Sequence, residues 1–240
     1  MLPSIDSEET NGPVAPATPL QAGMLQASQC APKDGLYVQQ LVIEFQESLD
    51  PAAWRAAWEH LIRRHGILRT RFRPSAEGGL HQEVLPEFRA PVSCEDWTGA
   101  SREEAGLRLE EFLSKDRILG FGPESGPPWR LHLFQCGPAE WRCVWTSHHA
   151  LLDGRSRLRL LREWSDRYEQ VRSGRASENP DFADPSPLSF LEYSRWLAAQ
   201  DPCSSREFFE DLLGGFGDPT PLPMARRFPS ELLKQPGASP

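Results

Sequence analysis

The chain has 240 residues, a formal net charge of -8 and a pI near 5.3. This acidic balance argues against general binding to nucleic acid or to anionic membranes, which requires a basic face. No run approaches the ~20 apolar residues of a membrane span, and no basic and apolar signal sequence opens the chain, so we expect cytoplasmic residence. The hydrophobic fraction of 39%, with 8 Trp and 12 Phe, is enough for a sizeable core.

Cysteine and histidine usage predicts no metal centre. The 5 cysteines are widely spaced and form no CxxC pair, so we expect them to be reduced. Four histidines lie scattered over expected helices and strands, which makes metal ligation by them improbable. They are His60, His65, His81 and His132.

The N-terminal region combines a polar segment with a helix start. Residues 1–17 contain Ser, Glu, Asn and several Pro without apolar periodicity, and we expect a flexible tail there. Thr18 then offers an N-cap, Pro19 suits the first helical position, and Gln21 completes a capping-box spacing. The sequence therefore predicts a short helix after Thr18, followed by a strand over residues 37–45.

Cap and turn residues divide the middle of the chain. Asp50 and Pro51 predict the start of a second helix. Residues 67–73 and 80–85 are strand candidates on either side of a Gly-containing turn and predict an antiparallel hairpin. A capping box at Ser101 predicts a third helix that ends near residue 120.

A second hairpin and a long helix complete the expected fold. Residues 129–136 and 141–147 are rich in aromatic and β-branched residues and flank a Gly-Pro turn. Apolar residues at helical spacing predict a helix over 156–171. We therefore expect an α/β (α+β) fold, a two-layer sandwich of helices on one mostly antiparallel or mixed sheet.

The C-terminal part is expected to leave this lobe, which spans residues 18–172. Residues 173–187 have a loop composition with three prolines. A final helix is expected over 189–213, with a break at Asp201-Pro202. We thus divide the chain into a lobe, a Pro-rich linker with a bridging helix over 173–223, and a flexible tail over 224–240.

The heptapeptide over residues 148–154, HHALLDG, places two adjacent imidazoles at the end of a strand and just before a helix. A near-neutral imidazole is the side chain best suited to take a proton from an attacking amine, so the motif indicates acyl transfer. His149 is the candidate general base. His148 points to the opposite strand face and is expected to hold the turn or to bond the backbone. The alternative is that both imidazoles serve only turn hydrogen bonds.

Four segments, in this order, resemble the condensation domains of nonribosomal peptide synthetases, which are relatives of chloramphenicol acetyltransferase. Residues 148–154 match the HHxxxDG motif, and residues 64–72 look like the segment RHExLRTxF. Residues 18–25 look like the opening helix, and residues 189–223 resemble the bridge that leaves the N-terminal lobe. Gly66 stands where the family usually has Glu, and Arg155 where an aromatic residue commonly follows the glycine.

The resemblance implies a role for each motif residue. His149 would act as general base or position the attacking amine. Asp153 would be a structural ion-pair partner, with Arg64 and Arg69 as candidate partners, and Gly154 would line the substrate channel. The alternatives are that Asp153 is an ordinary helix-start or turn residue and that Gly154 only makes the turn. The implied substrates are carried on the phosphopantetheine arms of carrier proteins, without a bound metal or redox cofactor.

A complete family member is about twice as long, and nothing in this sequence resembles the DFGWG segment of its second lobe. We therefore expect the N-terminal lobe of a condensation domain, with the C-terminal condensation lobe and carrier proteins as partners. Two alternatives stay open: a non-catalytic remnant or docking half-domain, and a small acyltransferase completed by self-association. Four arginines of the helix after the motif are expected to be solvated, or else to contact a carrier protein or phosphate. They are Arg155, Arg157, Arg159 and Arg162.

Overall fold

The computed structural model describes residues 12–75, 78–122, 126–176 and 189–217, and the chain divides into two compact units after Ala199. Residues 1–11 and 224–240 of the expected tails and residues 177–187 of the expected loop lie outside the described residues. The helices of the first unit are α1 (Pro19–Cys30), α2 (Pro51–Arg64), α3 (Arg102–Leu119), α4 (Gly154–Arg172) and α5 (Phe190–Ala198). Its strands are β1 (Val14–Pro16), β2 (Val38–Phe45), β3 (Thr70–Pro74), β4 (Leu80–Val84), β5 (Val92–Asp96), β6 (Trp129–Gly137) and β7 (Glu140–His148).

Side chains cap the helices where the sequence predicts them. Thr18 and Gln21 form a complete capping box at α1, and Ser101 forms another with Glu104 at α3. Asp50 accepts from the first N–H groups of α2. Because each cap satisfies N–H groups that have no partner inside the helix, it fixes the residue at which the helix begins.

The strands form two sheets rather than the single sheet expected. One has the order β1-β4-β3 and is antiparallel. The other has the order β2-β7-β6-β5, in which the β6–β7 hairpin and the β2–β7 pair are antiparallel and β5 runs parallel to β6. Both predicted hairpins are confirmed.

The prediction of a flexible tail is wrong for residues 14–16. Val14–Pro16 pairs with β4, and the Val84 N–H donates to the carbonyl oxygen of Pro13 at 3.0 Å. A strand of three residues carries too little periodicity to be recognised in the sequence. The five-residue strand β5 was not predicted either. Pairing with β4 orders residues 14–16, although their composition alone does not predict a strand.

Aromatic residues fill the space between the four-stranded sheet and helices α2 and α4. Trp58 lies with its ring centroid 5.1 Å from that of Trp145 and 6.0 Å from that of Trp164. Removing one such buried ring costs about 3–5 kcal/mol, so this cluster fixes α4 against the sheet. Because α4 starts at the end of the motif, the cluster also fixes the position of the motif.

Helix α3 covers the opposite face of the same sheet. Its buried Asp116 pairs with Arg130 of β6 and accepts from the Gln40 side chain of β2 at 2.8 Å. These charge-assisted bonds offset the desolvation of the carboxylate. The α/β fold class is confirmed, and α3 adds a layer to the two that were expected.

The second unit contains α6 (Pro202–Leu212), which Asp201 caps through the Cys203 N–H at 2.9 Å. The predicted break at Asp201-Pro202 is confirmed, since α5 ends at Ala198 and α6 begins at Pro202. Within the described ranges, no helix is long and apolar enough to cross a membrane.

Candidate functional site

The motif forms a tight turn between the last residue of β7 and the first of α4. The His149 N–H donates to the carbonyl oxygen of Tyr37 at 2.8 Å, and the Leu151 N–H donates to that of His148 at 3.0 Å. Tyr37 has a φ of 58°, which lies in the left-handed region. This conformation is energetically unfavourable for any residue other than glycine. The turn is therefore held from β2, at the edge of the sheet.

His149 is oriented by a carbonyl group of its own turn. Its Nδ1 lies 3.0 Å from the carbonyl oxygen of Leu152. A carbonyl oxygen can only accept, so Nδ1 carries the proton and the lone pair of the neutral ring lies on Nε2. The side chain is half-buried and lines a cleft beside the motif. The Leu152 carbonyl thus orients the ring and leaves Nε2 as its basic nitrogen.

His148 makes the opposite set of contacts. Its Nδ1 accepts the Ala150 N–H at 3.1 Å, so the proton of its neutral ring lies on Nε2, which donates to the Ser28 hydroxyl at 2.8 Å. Burial, followed by the neighbouring His149, lowers the pKa of His148 to about 4. Because a protonated Nε2 cannot take the proton of Ser28, this pair is not an activated serine. The expected backbone role of His148 is consistent with these bonds.

The expected ion pair of Asp153 is not formed within the described part of the chain. Asp153 is exposed and caps α4, accepting the Ser156 N–H at 2.7 Å. The hydrogen bonds from Ser156 lower the pKa of Asp153 below its usual range. The prediction of a buried carboxylate paired with Arg64 or Arg69 is therefore wrong, because the N-terminal turn of α4 satisfies this carboxylate.

Arg64 and Arg69 instead stabilise neighbouring elements. The Arg64 Nε donates to Glu163 of α4 at 2.9 Å, and His65 Nε2 lies 2.8 Å from the other oxygen of that carboxylate. Arg69 Nε donates to the carbonyl oxygen of Ile62 at 2.9 Å. Its Nη1 donates to the backbone carbonyls of residues 85 and 86. Sequence reasoning missed Glu163, since its spacing from the motif carries no chemical pattern.

Gly154 is the first residue of α4, and a Cβ built on it would meet no atom within 4 Å. Its φ does not lie in the left-handed region that favours glycine. The backbone therefore does not require a glycine at this position. Open space above Gly154 is compatible with close approach of a ligand.

A cleft of about 680 Å³ lies beside the motif. Its apolar part comes from α1, α4, α5 and the turn, whereas its polar part includes the motif residues His149 and Asp153. Other charged or titratable side chains lining it are Arg64, His65, Arg159, Glu163 and Tyr193. Such a mixture of an apolar lining and a few polar groups is typical of a binding site for small molecules or substrate arms.

Among the described residues, no group of three or more His, Cys, Asp or Glu is placed to hold a metal ion. All five cysteines are free. Cys143 is buried, and burial raises its pKa to about 12, which leaves it as an unreactive thiol.

Of the four arginines in the first half of α4, Arg157 is half-buried and the other three are exposed.

Comparison with known proteins decides the family. The model of the condensation domain matches residues 12–235, which is nearly the whole chain. The chain belongs to the condensation-domain family. A linear gramicidin synthase protein of Brevibacillus parabrevis is 34% identical over 211 residues, which is 88% of this chain and 3% of the relative. Bacitracin synthase 1 of Bacillus licheniformis is 27% identical over 214 residues, 89% of this chain and 4% of the relative.

Solved condensation domains share the fold. The starter condensation domain of rhizomide synthetase superposes with a TM-score of 0.72 at 18% identity, covering 86% of this chain and 49% of the solved one. The first condensation domain of the calcium-dependent antibiotic synthetase gives a TM-score of 0.69 at 18% identity, covering 87% and 50%. This chain thus spans about half the length of the solved condensation domains and corresponds to the N-terminal half.

Proposed function

We propose that this chain supplies the histidine-bearing half of an amide-forming condensation domain of a nonribosomal peptide synthetase. The observation that carries the proposal is the bond from His149 Nδ1 to the Leu152 carbonyl, which leaves the lone pair on Nε2 in a cleft of about 680 Å³. A nitrogen in this state can accept a proton or a hydrogen bond from an attacking amine. The proposed substrates are an acyl or peptidyl thioester and an aminoacyl thioester.

In the proposed reaction the acceptor amine attacks the carbonyl carbon of the donor thioester. Nε2 of His149 takes the proton of the amine or holds the amine in line for attack. The carbon–nitrogen bond forms, the carbon–sulfur bond breaks, and the proton lost by the amine passes to the leaving thiolate to give a thiol. His148 cannot share this role, because its Nδ1 is occupied by the Ala150 N–H and its Nε2 donates to Ser28. The reaction needs neither a metal nor a redox cofactor.

The proposed partners are two carrier proteins, whose phosphopantetheine arms carry the thioesters, and a C-terminal condensation lobe. A variant of the rhizomide starter domain has been solved in complex with C8-CoA, a molecule with a phosphopantetheine arm. The proposal places the same kind of arm in the cleft beside His149. The same proposal includes cytoplasmic residence, because the carrier proteins would be found in the cytoplasm.

The test measures amide formation from loaded donor and acceptor carrier proteins by mass spectrometry, with a C-terminal condensation lobe supplied. His149→Ala should lower the single-turnover rate by roughly ten- to ten-thousandfold, the range between loss of positioning and loss of proton transfer. His65→Ala is the matched control, because His65 lines the same cleft but is bonded to Glu163. A His149→Ala protein that folds and reacts at the wild-type rate would falsify the proposal.

A further inference from the structure

The residue that follows His149 is held from two sides. The Ala150 N–H donates to Nδ1 of His148 at 3.1 Å, and its carbonyl oxygen accepts from Nε2 of Gln21 at 3.1 Å. Ala150 is buried and lies between His149 and Leu152, whose carbonyl orients the His149 ring. Both backbone polar groups of this buried residue are therefore satisfied by side chains rather than by a backbone ladder.

The orientation of the Gln21 amide is fixed by α1. Its Oε1 accepts the backbone N–H of Thr18 at 2.9 Å, as the third residue of the capping box. A backbone N–H can only donate, so the oxygen must face Thr18 and the NH₂ group must face Ala150. Gln21 is 4% exposed, so water does not compete for these bonds. One side chain thus caps α1 and holds the motif turn.

A second buried amide supports the first. Nε2 of the fully buried Gln82 lies 3.4 Å from the Gln21 oxygen and donates to the Ser194 hydroxyl at 2.8 Å. The same nitrogen donates to the carbonyl oxygen of Pro16 at 3.1 Å. Gln21 is therefore in contact with β4 and, through Gln82, with β1 and α5. A buried network of this kind restricts each member to one orientation.

We infer that Gln21 is a positioning residue for His149. Its bond to Ala150 keeps the turn in the shape in which the Leu152 carbonyl accepts the hydrogen bond from His149 Nδ1. The catalytic consequence rests on the proposed function, whereas the placement of the proton on Nδ1 does not. Loss of the Gln21 donor frees the Ala150 carbonyl and lets the turn relax. The His149 ring then loses its partner at Nδ1, and its proton redistributes toward Nε2.

Gln21→Glu separates this role from the cap. Glutamate at the third position of a capping box accepts the N-cap N–H as well as glutamine does, so α1 keeps its start. It has no NH₂ group to donate to Ala150. Gln26→Glu is the matched control, because Gln26 lies exposed on the same helix and the charge change is identical. Gln21→Met serves as a neutral variant of similar length, should the buried carboxylate of Gln21→Glu lower the melting temperature.

The direct measurement is ¹⁵N NMR of the histidine side chains in the 240-residue chain, above the pH at which imidazole titrates. His149→Ala assigns the His149 signals. The wild-type chain and Gln26→Glu should show the His149 proton on Nδ1, whereas Gln21→Glu or Gln21→Met should shift it measurably toward Nε2. An unchanged proton position in both Gln21 variants overturns the inference.

The catalytic measurement uses the carrier-protein assay described above. Gln21→Glu should lower the single-turnover rate by roughly ten- to a hundredfold, as small misplacements of a reacting group do, without a change in carrier-protein affinity. Gln26→Glu should react at the wild-type rate. If the wild-type protein forms no amide, the proposed function fails, and the NMR comparison still decides the role of Gln21.

Discussion

The carboxylate of Asp153 accepts the backbone N–H of Ser156 at 2.7 Å and so begins α4 directly after the motif turn. The same residue was expected to pair with a buried arginine. The two arrangements differ in their energetic consequence, because an N-cap stabilises one helix end in solvent whereas a buried ion pair leaves an uncompensated charge when it is broken. Mutation distinguishes them.

Asp153→Ala should lower the free energy of unfolding by about 1 kcal/mol, the usual contribution of an N-cap. Asp153→Ser, which keeps a capping oxygen, should restore most of it. Because the pKa of Asp153 is lowered in the folded state, this contribution is present above the ordinary carboxyl pKa and is lost as pH falls through the lowered value. Urea unfolding of the wild type, Asp153→Ala and Asp153→Ser measures the three free energies of unfolding. A loss of about 3–5 kcal/mol would instead indicate a buried pair.

Arg69 should matter more for folding than Arg64. Arg69→Met removes the donor to three backbone carbonyls, those of Ile62, Leu85 and Pro86, and each carbonyl left unsatisfied costs about 1–3 kcal/mol if it stays buried. Arg64→Met breaks a partly exposed pair with Glu163, for which ~1 kcal/mol or less is typical. Thermal melts of both variants test the order, and equal losses would contradict it.

His148 should make the stability depend on pH. Its folded-state pKa of about 4 lies below the ordinary value of 6.5, so the unfolded chain binds a proton first as pH falls. Stability is full above pH 6.5 and declines through the window from 6.5 to 4, by at most ~1.4 kcal/mol per pH unit from this group.

His148→Asn is the matched variant, because its side-chain oxygen can accept the Ala150 N–H but does not titrate. His60, whose pKa is also lowered to about 4 by burial, contributes equally in both proteins. The difference between wild type and His148→Asn in unfolding free energy should therefore change between pH 7 and pH 4. A constant difference would show that the ring of His148 is not buried as a neutral base.

The 240-residue chain alone should fold but form little or no amide from loaded carrier proteins. Solved condensation domains that it superposes on are about twice as long, since this chain covers 49% of one and 50% of another. The second half would supply the facing wall of the substrate channel. Product analysis with and without a C-terminal lobe checks this, and efficient turnover by the chain as a proven monomer would contradict it.

The predictions of helix caps, hairpins and the helix break came from local signals and are confirmed. Thr18, Asp50 and Ser101 each cap the helix predicted from them, because capping depends on a side chain and the N–H groups two or three residues on. Both hairpins and the break at Asp201-Pro202 are likewise local. The family resemblance rested on four such segments together and is confirmed by a match over residues 12–235.

Features that depend on distant contacts escaped the sequence. Strand β1 exists because β4 pairs with it, and the partner of Arg64 is Glu163, 99 positions along the chain. The family resemblance assigned the carboxylate of Asp153 to an arginine, and the sequence could not show that this carboxylate is exposed.

The sequence by itself determined the family, the helices and their caps, and which two histidines stand at the end of β7. Adjacent residues of a strand point to opposite faces, and this predicted different surroundings for the two rings, although β7 ends at His148 and His149 lies in the turn. Only the tertiary structure decided what each ring does. The Leu152 carbonyl accepts a hydrogen bond from His149 Nδ1. Both nitrogens of His148 are hydrogen-bonded, Nδ1 to the Ala150 N–H and Nε2 to the Ser28 hydroxyl. Ala150 and Leu152 lie within three residues of the histidines that they contact, whereas Ser28 and Gln21, which donates to Ala150, come from α1. Only folding brings α1 beside the motif turn, and no local pattern encodes that contact.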